Sequence, residues 1–152
     1  MGLDMYLKGR RYISSYSDQD QPMRDGVREH FPELQGDAWA ENPVQEVTAE
    51  VGYWRKANQI HKWFVDNVQG GEDECRPHSV SREDLARLRE VCQTVLAKPK
   101  KASELLPTGA GFFFGSTDYD QYYQQDLEST VAIIDRALAL PEAWDFEYQS
   151  SW

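Results

Sequence analysis

The sequence predicts an α+β fold, with three main helices packed on a small antiparallel sheet that includes the N- and C-terminal strands. Alternation at both ends is the first observation behind this. Leu3, Met5 and Leu7 alternate with Gly2, Asp4 and Tyr6 at the start, and Trp144, Phe146, Tyr148, Ser150 and Trp152 share one side of "WDFEYQSSW" at the end. The second is that three intervening stretches repeat apolar residues at helical spacing between capping and stop signals.

Taken in order, "GLDMYLK" reads as a half-buried strand, and "RRYISSY" as its returning neighbour after a turn near Lys8 and Gly9. Residues 17–43, with three prolines among acidic and polar clusters, read as an irregular excursion holding one short helix around Val27–Phe31. Excursions of that length in compact domains are more often functional or mobile loops than core. "VQEVTAEV" (44–51) alternates as a further strand. The first helix is expected from Tyr53 to Val68, stopped by Gly70-Gly71. The second opens at the cap Ser81, places Leu85, Leu88, Val91, Cys92 and Val95 on one face, and closes at Pro99. After a short turn at "ASELL", the third starts at Ser116–Thr117 and runs through Tyr119, Tyr123, Leu127, Val131, Ile134 and Leu138 to Pro141.

A length of 152 residues suits one domain, 1–152, able to bury a real core. Its net charge of −10 counts against a general nucleic-acid binder and against docking on anionic membrane. Basic residues are nonetheless local: Arg55, Lys56 and Lys62 cluster on the first helical segment, which leaves an anion site open. Cys75 and Cys92 make no disulfide framework and read as reduced thiols. The N-terminus lacks a secretory pattern and no apolar run reaches membrane-spanning length, so the expectation is a soluble, cytoplasmic protein.

Two segments carry candidate chemistry. On the helical wheel of "YWRKANQIHKWF", Asn58 and His61 fall in the arc of Trp54 and Phe64, while Arg55, Gln59, Lys62 and Asp66 point away. Burying an amide and an imidazole without partners costs about 1–3 kcal/mol each. Each therefore meets protein groups, water or a ligand, and both a satisfied core and an aromatic-walled site fit. In "PTGAGFFFGSTDYDQYY", Gly109, Gly111 and Gly115 bracket three phenylalanines and deliver Ser116 and Thr117 to a helix start. Such a start can hold an anion or simply be capped. No Lys follows the glycines, so this is no phosphate loop. Tyr119, Tyr122 and Tyr123 line the gap beyond.

Cys75 and His78 have the spacing of half a zinc site without a second pair, so neither metal nor cofactor is expected. His61 helped by Glu50 is the best acid–base arrangement on offer, and it lacks a nucleophile.

The blocks "MGLDMYL", "EVGYWRKANQIHKWFVDNVQ", "LLPTGAGFFFGSTDYDQYY" and "YQSSW" resemble a family of small bacteriophage and prophage proteins, over nearly the whole chain outside 17–43. The resemblance implies a phage setting, in which small non-virion proteins act on the host by sequestering nucleotide signals or blocking defence proteins. It carries no catalytic role.

The expected function is a non-catalytic binding protein for an anionic or nucleobase-bearing ligand. Its site residues would be Trp54, Arg55, Asn58, His61, Ser116, Thr117, Tyr119 and Tyr123. An acidic module engaging a host protein is the alternative, followed by a hydrolase or transferase centred on His61. Homo-oligomerisation stays open.

Overall fold

The computed structural model describes residues 2–152. Strand β1 (Asp4–Tyr12) continues straight through Lys8 and Gly9, where the sequence suggested a turn. Gly9 serves packing instead: a Cβ there would lie 3.1 Å from both the Trp144 ring and a Val51 methyl. β1 is paired on both edges, antiparallel to β2 (Glu46–Arg55) and to β4 (Trp144–Ser151). A three-residue strand, β3 (His78–Val80), completes an antiparallel sheet of order β2-β1-β4-β3. The terminal strands are thus its two central members.

Strand β2 runs further than its alternation suggested, and this changes the first helix. Asp4 pairs with Arg55, Met5 with Trp54 and Tyr6 with Tyr53, so the segment 53–55 is strand. Helix α2 spans Asn58–Asn67. Cross-strand pairing supplies ladder bonds and a buried seat for Trp54 that one more helical turn could not match. A bulge opposite Leu7/Lys8 realigns the ladder beside Gly52. There α5 (Gln121–Ala139) approaches so closely that a side chain at Gly52 would overlap Ile133.

One face of the sheet carries the core. Leu3, Met5, Leu7, Phe146 and Tyr148 pack with Ile60 and Phe64 of α2, with Leu85, Leu88 and Cys92 of α3 (Arg82–Ala97), and with Leu127 and Ile134 of α5. The opposite face is polar, and Arg10 there bridges Glu46 at 2.7 Å and Glu147 at 2.9 Å. Helix α3 starts at Ser81 as expected, with a reciprocal capping box to Asp84. Helix α4 is a single turn, Ala102–Leu105.

The third main helix begins later than Ser116–Thr117. Asp120 is its cap, accepting from Tyr123 N at 3.0 Å, and 116–119 remain outside the helix. The excursion holds a ten-residue helix, α1 (Gln21–His30), which is longer than expected. Buried polar side chains bind it to the sheet. Arg11 meets Asp20 at 2.7 Å, Arg24 donates to the Ser14 and Ser17 carbonyls, and Asn42 donates to the Ile13 carbonyl at 3.2 Å.

Candidate functional site

Asn58 opens α2 and is 1 % exposed. Its Nδ2 donates to the carbonyls of Phe114 (3.0 Å) and Ser116 (2.7 Å), and its Oδ1 accepts from Gly109 N at 3.0 Å. Both ends of the glycine-rich aromatic turn are therefore tied to α2 through one carboxamide. Trp54, inward on β2, donates from Nε1 to Thr130 Oγ1 at 2.8 Å.

His61 is equally enclosed. Its Nδ1 lies 2.8 Å from the Tyr148 hydroxyl, and Phe114 packs edge-on to its ring. Its Nε2 stands 3.0 Å from Asp73 Oδ1 without the alignment of a hydrogen bond, so proximity rather than a directed bond links the two. Burial raises the Tyr148 pKa well above the ordinary phenol value, so the Tyr148 hydroxyl stays neutral. Trp152 Nε1 donates to the same Asp73 oxygen at 3.1 Å. Glu50, the expected helper of His61, is exposed opposite Lys8 on the other face of the sheet. Strand parity separates the two. Asn58, His61 and Trp54 thus link α2, β2, α5 and β4 through protein partners.

A separate cleft of about 290 Å³ opens where the β2–α2 junction meets residues 115–126. Of the residues singled out by sequence, Arg55, Ser116 and Tyr123 line it, while Trp54, Asn58 and His61 lie in the core. Tyr119 instead turns to a smaller apolar cavity of about 60 Å³ beside Val95, Leu96 and Pro99, and Tyr123 borders both. Thr117 contributes its carbonyl to the Thr108 hydroxyl at 3.0 Å. The Tyr123 hydroxyl donates to the Leu106 carbonyl at 2.8 Å, and burial raises its pKa.

Two further lining residues, Gln59 and Asp126, escaped the sequence reading, and Lys56 of the basic cluster lines the cleft as well. Gln59 points away from the sheet, as the wheel requires, but α5 covers that side and leaves it 2 % exposed. Its Nε2 donates to Asp126 Oδ2 at 2.9 Å. Burial raises the Asp126 pKa, the Gln59 bond opposes that shift, and the charge of Asp120 adds to it. Lys56 adopts φ +60, rare for a residue with a side chain, in the tight connection between β2 and α2. It sits against Gly115 (φ +86), where a Cβ would come 3.1 Å from Lys56 Cβ. No carboxylate lies within ion-pair distance of the Lys56 ammonium among the described residues. Only the spacing of Gln59 and Asp126 on two helices that must be neighbours could have signalled them, and that adjacency is tertiary.

Elsewhere, burial pushes the Cys92 thiol up to about 12, whereas Cys75 is exposed. Among the described residues no group of three or more His, Cys, Asp or Glu is arranged to hold a metal ion, and no helix is long and apolar enough to cross a membrane. No protein-family model matches the chain, and no curated protein or solved structure is significantly similar to it.

Proposed function

We propose that this chain is a small-ligand binding protein whose site is the cleft between the β2–α2 junction and residues 115–126. The observation that carries this reading is the polar floor: a buried carboxamide and a desolvated carboxylate, Gln59 and Asp126, open into a concavity. Desolvated polar groups kept in a cleft cost stability and recur at binding sites. Arg55 and Lys56 add positive charge, and Tyr122 adds an exposed ring that can stack on a flat ligand. The volume lies near the lower end of small-ligand pockets. A nucleobase bearing an anionic group matches this combination. In the phage setting that the sequence blocks imply, the protein sequesters a host nucleotide signal without turning it over.

Isothermal titration of the purified chain against nucleotides and cyclic dinucleotides tests the reading. Saturable heat with at least one member, weakened in a Lys56→Ala variant, supports it. No heat and unchanged melting temperatures across the panel would reject it. The acidic interaction module has its own support in Phe112, 95 % exposed at the tip of the pinned turn. On that reading Phe112→Ser abolishes partner capture and leaves nucleotide titrations unchanged. His61, 1 % exposed and away from the cleft lining, supports no reaction centre.

A further inference from the structure

Resting on the ligand-binding reading of this cleft, we infer that its floor recognises the Watson–Crick edge of guanine. Gln59 Nε2 is committed to Asp126 Oδ2, which turns the amide so that Oε1 is its free end. Among the described residues that oxygen takes no protein hydrogen bond. Unlike His61 Nε2, Gln69 Oε1, His78 Nε2 and Ser150 Oγ, which are sealed without a partner among the described residues, it is not sealed from solvent. Among the described residues Asp126 Oδ1 likewise has no protein donor. Asp126 therefore offers its two carboxylate oxygens as acceptors side by side, next to Gln59 Oε1 and the second hydrogen of Gln59 Nε2, on a residue 2 % exposed and a desolvated carboxylate.

A carboxylate selects ligands by adjacent donors. Guanine presents N1–H and the 2-amino N–H side by side, which a carboxylate accepts as a pair, with the second amino hydrogen left for Gln59 Oε1. Adenine places its 6-amino donor beside the N1 acceptor, and cytosine its 4-amino donor beside N3. Each would set a lone pair against Asp126. Uracil flanks its single N–H with two carbonyls. Hypoxanthine keeps N1–H and lacks the amino group. Rejection by an unmatched buried polar group is stronger than discrimination by shape alone. Arg55 and Lys56, which also line the cleft, can take the phosphate, since among the described residues Lys56 lacks a carboxylate partner and Arg55 lies at the 4.0 Å limit from Asp4.

The experiment is calorimetric titration of the full chain and of Asp126→Asn with GMP, IMP, AMP, CMP, XMP and agmatine. Agmatine also offers adjacent N–H donors, but carries no base. For the unaltered chain, GMP is expected to bind about 10–100-fold more tightly than IMP, the worth of hydrogen bonds to a charged acceptor, with AMP and CMP weaker still. Asp126→Asn replaces one acceptor by a donor, so its preference should move from GMP to XMP, whose 2-oxo group can accept. The variant keeps an oxygen for Gln59, and its melting curve reports folding independently. Equal binding of GMP, IMP and AMP overturns the guanine assignment while leaving the cleft as a binding site. Agmatine binding without GMP binding does the same. Silence from every ligand overturns the assignment together with the reading beneath it. A folded Asp126→Asn that still prefers GMP to XMP overturns the assignment alone.

Discussion

Three hydrogen bonds from one carboxamide make Asn58 the tie between α2 and the 107–117 turn. Asn58→Ala removes all three and leaves Gly109 N and two carbonyls to find water. A loss of about 1–3 kcal/mol in urea unfolding is expected, with increased proteolysis near Phe112. A carboxamide that served only a ligand would leave unfolding unchanged. Tyr148→Phe should cost a similar amount, about 1–3 kcal/mol, because His61 Nδ1 loses its hydrogen-bond partner in a buried site. Asp126 behaves in the opposite sense. Burial raises its folded-state pKa above the unfolded value, so ionisation opposes folding at neutral pH, and the penalty is relieved as pH falls through the folded pKa. Asp126→Asn should therefore raise the melting temperature at pH 7 and lose that advantage in acid. An unchanged melting temperature at pH 7 would show that the carboxylate is already compensated.

Helix α3 illustrates control at the level of one element. Burial works to raise the Asp84 pKa, but hydrogen bonds from Ser81 and Arg87 outweigh it and leave the carboxyl below its usual range. A depressed folded-state pKa stabilises above the unfolded value of about 4 and loses that effect as pH falls through the folded pKa. Asp84→Ala should cost about 0.5–2 kcal/mol at pH 7. The gap between variant and parent should close below about pH 4, as followed by thermal melts across pH. The start of α5 shows a competition between caps that sequence cannot rank. Ser116, Thr117 and Asp120 are all competent caps, and Asn58 decides among them by holding the Ser116 carbonyl outside the helix. Trp54 shows the same limit for strands. Its side chain suits either an inner helix face or an inner strand position, and only the partner Met5 settles which.

Across the whole molecule, the excursion at 17–43 is held by buried charge more than by apolar packing. Arg24 is buried and bonded to the Ser14 and Ser17 carbonyls and to Gln21 Oε1, and Asp20 receives Arg11 and Ser14 N. Arg24→Ala should free this segment while the sheet and α2, α3 and α5 stay folded, since local units can open below the global unfolding energy. Limited proteolysis should then cut within 17–43 first and leave a stable remainder, whereas cuts spread over the chain would show that the excursion supports the core.

The periodicities by themselves determined the α+β class, the terminal strands, the face and cap of α3 and the apolar face of α5. These features depend on residues within one element and on the choice between burial and water. The tertiary structure alone decided that Tyr53–Arg55 is strand, that β1 does not turn at Gly9, and that the Asn58 carboxamide and His61 Nδ1 meet protein partners. It also decided that Gln59, pointing away from the sheet, is buried against Asp126. The reason is physical. A wheel or an alternation says which side of an element seeks cover, but which second element covers it, and with which polar atoms, is set by packing between segments far apart in the chain.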